Sequence, residues 1–198
     1  MRFGNFRKEP VLFALVLFFF CLTAGALGGR LYIITMGAKA KAAVVAELQS
    51  AVKGSIPYAK LIRYCMLRNA LVAFSLLFFS LCIVGHWYYL FRIGKRGLFV
   101  GFLFGQLCGT FGKKGILLGL TYYFPAWFFY LPVYFVYYRI GYQLWRGFFR
   151  NPESAATLRA FWPYRKQLLL WLLVFLLGGL VEATLGSLLL QAVGGKFC

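Results

Sequence analysis

From Val11 to Gly29 the chain runs nineteen residues without a charge, and further long apolar runs occupy 69–90, 116–138 and 167–193. Such lengths match the roughly 20 residues a helix needs to cross a bilayer. The runs are continuous rather than alternating, which selects helices over the strands of a closed barrel. Composition removes the soluble alternative. Of the 198 residues, 62% are hydrophobic and 21% aromatic, whereas globular domains are nearer half apolar. Lipid is the solvent that absorbs this surplus. The expected class is all-α: a polytopic membrane helix bundle, one integral membrane domain over 1–198, with five transmembrane helices.

The five expected spans are 11–29, 69–90, 98–111, 116–138 and 167–193. Before the first stand Arg2, Arg7 and Lys8. A basic start and an apolar run also describe a signal peptide, but the run exceeds an h-region of about 7–15 residues, and Arg30 stands where a cleavage site would be. The first span is therefore read as retained. The third is short, about 21 Å of helix against a hydrocarbon core of roughly 30 Å.

Segment 37–68 has a different character. Val45, Leu48 and Val52 share one helical face, with Lys39, Glu47, Ser50 and Lys53 opposite and Lys41 interrupting the apolar side. The pattern predicts an outer amphipathic helix lying on the membrane, ended by Gly54 and Pro57. A tight turn is expected at Gly112–Gly115. The stretch 139–166 reads as a basic loop, with Arg139, Arg146, Arg150, Arg159, Arg165 and Lys166 against Glu153 alone. Within it, Asn151-Pro152-Glu153 has the order of a helix start. Five crossings put the termini on opposite sides. A slight excess of basic residues on the N-terminal side makes the N-terminus cytoplasmic and the C-terminus external.

The chain holds 22 Lys and Arg against 4 acids, a formal net charge of +18. In a soluble protein this balance suggests nucleic acid. Here the basic clusters border apolar runs, so the expected partner is anionic membrane lipid, particularly at 139–166, and nucleic acid is not expected. There is no Asp, and His86 is the one histidine. No paired carboxylates, metal-ligand set or cofactor motif can be assembled from so few groups, so neither a catalytic function nor a cofactor is expected. The five cysteines show no CxxC spacing and read as small apolar residues.

Three features stand out within the spans. Gly97, Gly101, Gly105 and Gly109 recur at every fourth position, a smooth helix face that permits close approach of another helix. Packing against a neighbouring span is the first reading and a homodimer seam the second. Pro125 and Pro132 are expected to kink the fourth span. Glu182 is a carboxylate inside a span, which either reaches the headgroup region or calls for a partner; Arg30 and Arg68, at the outer ends of the first two spans, are the candidates.

The segment RGLFVGFLFGQLCGTFGKKGILLGLTYYFPAWFFYLP (96–132) resembles the heart of the stage II sporulation protein M family. Shared features are the glycine-spaced span, the tight G-x-x-G turn, and a leucine-rich stretch with two prolines seven residues apart. The resemblance continues into LVEATLGSLLLQAV (180–193), where Glu182 occupies the place of the family's glutamate. It implies five spans, a cytoplasmic N-terminus, and a non-enzymatic scaffold in engulfment. Its implied partners are two peptidoglycan hydrolases, stage II sporulation proteins P and D, held at the septal membrane. The competing reading is a transporter or a membrane subunit of one, prompted by the broken span and the intramembrane glutamate; an intramembrane enzyme is a third class.

Overall fold

Where the solvent offers no hydrogen bonds, each backbone amide must find its partner inside its own helix. The computed structural model describes residues 9–52, 58–80, 82, 84–150 and 162–194, and the elements among them are all helical. In chain order they are α1 (Glu9–Val52), α2 (Tyr58–Ser80), α3 (Gly85–Phe111), α4 (Lys113–Arg150), α5 (Arg165–Val181) and α6 (Ser187–Gly194). A 3-10 turn at Trp162–Tyr164 leads into α5, and a π-helical turn at Glu182–Gly186 joins α5 to α6.

Three stretches among the described residues are long and apolar enough to cross a membrane: Val11–Ser50, Ala59–Ser80 and Trp162–Val193. The bent pair Lys113–Thr121 and Tyr123–Gly147 makes a fourth if it counts as one span. The helix left out, relative to the five expected, is α3. Its first half carries Arg92, Lys95 and Arg96, which the sequence pattern places in a loop and the structure places on the helix.

Several boundaries move for physical reasons. The second helix begins at Tyr58 and ends at Ser80, not at 69 and 90. The chain reverses over 82–84, where Cys82 N–H donates to the Phe79 carbonyl (3.2 Å) and Gly85 N–H to that of Cys82 (3.0 Å). Only a residue without a Cβ fits at Gly85, because one there would strike the Phe79 carbonyl oxygen. The aromatic run Trp87–Tyr89 therefore opens α3 instead of closing α2. At the other end of α3, Gly112 alone makes the turn (φ 61°), and α4 restarts at Lys113. The expected loop at 139–166 is helical as far as Arg150, where α4 ends, and Arg165 opens α5. The Asn151-Pro152-Glu153 start lies outside the described residues.

The first span also continues past Arg30, breaking at Gly37 (φ 60°, ψ −135°) before resuming to Val52. The limb after the break is amphipathic, but its inward stripe is Ala40, Val44 and Leu48, with Lys41 on the exposed side. Val44 and Leu48 line a groove with Leu103, Leu107, Leu118 and Leu190. The limb packs against α3, α4 and α6, and residues 58–68 of the expected outer segment belong to α2. Positive φ with this ψ is a glycine conformation. Gly37→Ala is expected to cost about 2 kcal/mol of strain, relieved by swinging the limb away. In a cysteine-free background, a cysteine at position 48, buried here, should react slowly with a thiol probe when residue 37 is glycine and faster when it is alanine; equal rates would refute the hinge.

Packing fixes the direction of each helix. Gly97 lies against Phe18, Gly101 against Leu22, Gly105 against Ala26 and Gly109 against Ile33, so α3 runs parallel to α1. Gly119 meets Phe104 and Gly141 meets Tyr89, making α4 antiparallel to α3. The Tyr137 hydroxyl donates to the Leu168 carbonyl (2.9 Å), and Gly178 faces Phe129 and Tyr130, so α5 returns along α4. Helix α2 packs chiefly on α5 and the π turn. The core holds Tyr89, Tyr134, Tyr137, Phe175, Leu76 and Ile93, all essentially inaccessible. Phe20, Phe74 and Phe128 lie about 70% exposed on the outside, at 69%, 71% and 73%. This inside-out distribution is that of a bundle whose solvent is lipid.

Candidate functional site

The tallest electrostatic cost in the sequence is the carboxylate in the last span, and the structure shows how it is met. Glu182 Oε2 accepts a hydrogen bond from Arg68 Nη2 (2.5 Å) and a second from the Tyr130 hydroxyl (2.6 Å). Tyr130 Oη in turn accepts from Asn69 Nδ2 (2.8 Å). The Glu182 side chain is 10% exposed and that of Arg68 34%; Asn69 is wholly buried. One ion pair and two hydrogen bonds thus join α2, α4 and the α5–π turn junction. A charge-assisted bond of this kind is about twice as strong as a neutral one, and both charges cancel locally.

The local sequence explains the closeness. Gly178 and Gly179 sit one turn before Glu182. A Cβ at Gly178 would lie 2.8 Å from a Tyr130 ring carbon, and one at Gly179 would run into the Asn69 amide. The pair therefore clears the space in which Tyr130 and Asn69 reach the acid. Glu182 also opens the π turn, its N–H shared between the carbonyls of Gly178 and Gly179. Single π turns within α-helices often mark sites where a side chain must be re-aimed.

Of the two candidate partners, the structure brings Arg68 to Glu182. Arg30 lies on α1 beside α3, its backbone facing Gly105. The glycine row is filled from within the chain. A Cβ at Gly101 would strike the carbonyl of Leu22, and one at Gly105 that of Ala26. Gly25 and Gly29 on α1 answer them, facing the carbonyls of Leu98 and Phe102. The two proline positions differ. Helix α4 bends by 58° between Thr121 and Tyr123, where Pro125 removes the bond to the carbonyl four residues earlier. Through Pro132 the helix continues unbroken to Gly147.

Sequence reasoning missed Asn69, Tyr130, Gly25, Gly29, Gly178 and Gly179. Signals existed for some: Gly25 and Gly29 carry the same four-residue spacing as the row they meet, and Gly178-Gly179 precede the buried acid by one turn. Tyr130 carried none, being one of 13 tyrosines.

No curated protein and no solved structure matches the chain. A family model does, that of Stage II sporulation protein M, over residues 11–187. The match takes in both the glycine-packed α1–α3 pair and the Arg68–Glu182 brace. On that coverage, the chain belongs to the Stage II sporulation protein M family.

Proposed function

We propose that this sporulation membrane protein is a non-enzymatic scaffold of engulfment, localising the peptidoglycan hydrolases stage II sporulation proteins P and D at the septal membrane. The observation that carries the reading is the use made of Glu182. The carboxylate best placed within the bundle for chemistry serves as a brace across three helices, its charge cancelled by Arg68 and its Oε2 atom accepting from both Arg68 and Tyr130. Such a site holds a frame, its charge already paired. The chemistry then belongs to the partners.

In this reading α3 is the fifth span. Its support is register: over Phe18–Ile33 it lies side by side with α1, the longest apolar helix of the chain. Five crossings give a cytoplasmic N-terminus and an external C-terminus. The glycine row is spent on α1, so a homodimer would use another face.

The test is affinity purification of the tagged protein in mild detergent from sporulating cells, with co-purifying proteins identified by mass spectrometry. Enrichment of both hydrolases over a tag-only control is expected. Their absence, with subunits of a transport ATPase in their place, would overturn the scaffold reading in favour of transport, for which the bent α4 is the structural prompt.

A further inference from the structure

Helices α2 and α3 are joined by a short turn, yet α2 leaves α3 to pack on α5 while α3 follows α1 and α4. Near the turn, one arginine bridges the seam between them. Arg92 Nε donates to the Tyr88 hydroxyl (2.7 Å) and Nη2 to Ser75 Oγ on α2 (3.1 Å), while Tyr88 donates to the same Ser75 oxygen (2.6 Å). Phe79 stacks on the Tyr88 ring, centroids 3.9 Å apart. The guanidinium is thereby fixed in orientation with most of its N–H donors uncommitted, an arrangement suited to a planar grip on phosphate.

The surroundings supply further cations, and Glu182, which Tyr130 reaches, is already paired with Arg68. Lys95, one turn along α3, is exposed. Arg96 lies over the Tyr130 ring, 5.8 Å from its centroid. Among the described residues no carboxylate pairs with Arg92, Lys95 or Arg96. Behind them, Arg68 Nε and Asn69 Oδ1 are buried with no hydrogen-bond partner.

Depth makes this imbalance informative. Gly94 packs on Leu17 and Cys21, and Gly97 on Phe18. The basic cluster therefore lies alongside the apolar run of α1, not beyond its end. Trp87, Phe91, Leu98 and Phe99 on the same helix are exposed, as are Leu71, Phe74 and Phe78 on α2. A cation set in a lipid-facing apolar surface must reach out to headgroups or draw a phosphate in.

We infer that the seam between α2 and α3 binds an anionic phospholipid of the leaflet on the N-terminal side, its phosphate held by Arg92 and Lys95 and its acyl chains running away from the turn over the exposed faces of Phe74 and Leu71. Free phosphate offers the same charge but nothing for the apolar walls, and it cannot reach this depth without leaving water. The inference moves the lipid contact expected of the 139–166 stretch to a defined place, and it is independent of the hydrolase reading.

The experiment is native mass spectrometry of the full-length protein in a neutral detergent, titrated with phosphatidylglycerol, phosphatidylcholine or inorganic phosphate. Phosphatidylglycerol should be retained, phosphatidylcholine held far more weakly, and phosphate should fail to displace the lipid. Arg92→Gln with Lys95→Gln should weaken phosphatidylglycerol by about thirtyfold, near 1 kcal/mol for each charge. Lys95→Gln alone touches no packing and should weaken it about fivefold, which keeps the test decisive if the double variant fails to fold. Lys39→Gln with Lys41→Gln removes equal charge from the far limb and should change nothing. Equal binding of phosphatidylcholine, displacement by phosphate, or undiminished binding by the Lys95 variant would each overturn the site.

Discussion

Arg68→Leu is expected to lower the unfolding free energy in mixed micelles by about 3 kcal/mol, and Glu182→Leu by about 2 kcal/mol. Removing one partner of a buried pair leaves an uncompensated charge, which generally costs roughly 3–5 kcal/mol; the lower end applies because the arginine is 34% exposed. The two losses differ in what they strand. Without Arg68, a carboxylate 10% exposed retains only the Tyr130 hydroxyl. Without Glu182, the long arginine side chain can withdraw toward headgroups, while Tyr130 keeps its bond from Asn69. The double variant should lose only about 1 kcal/mol, less than either single variant, because it strands no charge and fills the space with apolar groups. A cycle of reversible unfolding measurements on the four proteins gives the coupling directly. Strict additivity would mean that the pair is an accident of proximity and that the brace lies elsewhere.

That prediction rests on a partner the sequence left open. The acid itself was legible, because a carboxylate inside 27 mostly apolar residues (167–193) stands out against the cost of burying it. Arg68 and Arg30 were equally good candidates, since each follows or precedes an apolar run at the same expected side. The choice between them depends on which helices are neighbours. Helix α2 lies on α5, and α1 lies on α3; no local pattern encodes that. The glycine row shows the same limit from the other side. Its four-residue spacing identified a packing face, but the occupant of the face, α1 with Gly25 and Gly29, is a tertiary fact.

Boundaries were read least well, and for one recurrent reason. In the sequence a charge marks the end of an apolar run, whereas a helix in a bundle carries arginines within its length when they can pair or reach headgroups. Arg30 lies within α1, Arg68 within α2, and Arg92, Lys95 and Arg96 within α3. The breaks that do occur follow backbone chemistry: glycine with positive φ at Gly37 and Gly112, and loss of a backbone donor at Pro125.

The second large effect concerns the α1–α3 contact. Gly101→Leu together with Gly105→Leu is expected to abolish recovery of folded protein, and Gly101→Ala alone to cost about 3 kcal/mol. Overpacking usually costs about 1–3 kcal/mol when side chains can shift. Here the obstacle to a Cβ at Gly101 is the Leu22 backbone, with the Ala26 nitrogen 2.9 Å away, so relief requires separating two helices along their shared length. The roughly 1 kcal/mol that alanine gains over glycine in helix propensity does not offset this. Gly147 provides the control, because a Cβ there meets nothing within 4 Å; Gly147→Ala should be neutral or stabilise by up to about 1 kcal/mol. The two readings of the glycine face separate on concentration. If the row packs internally, the Gly101→Ala deficit in thermal stability is the same at every protein concentration, because no second chain takes part. A deficit that vanishes on dilution, with a change in oligomeric size by chromatography, would instead place the row at a seam between two copies and would require α1 to leave the position it occupies.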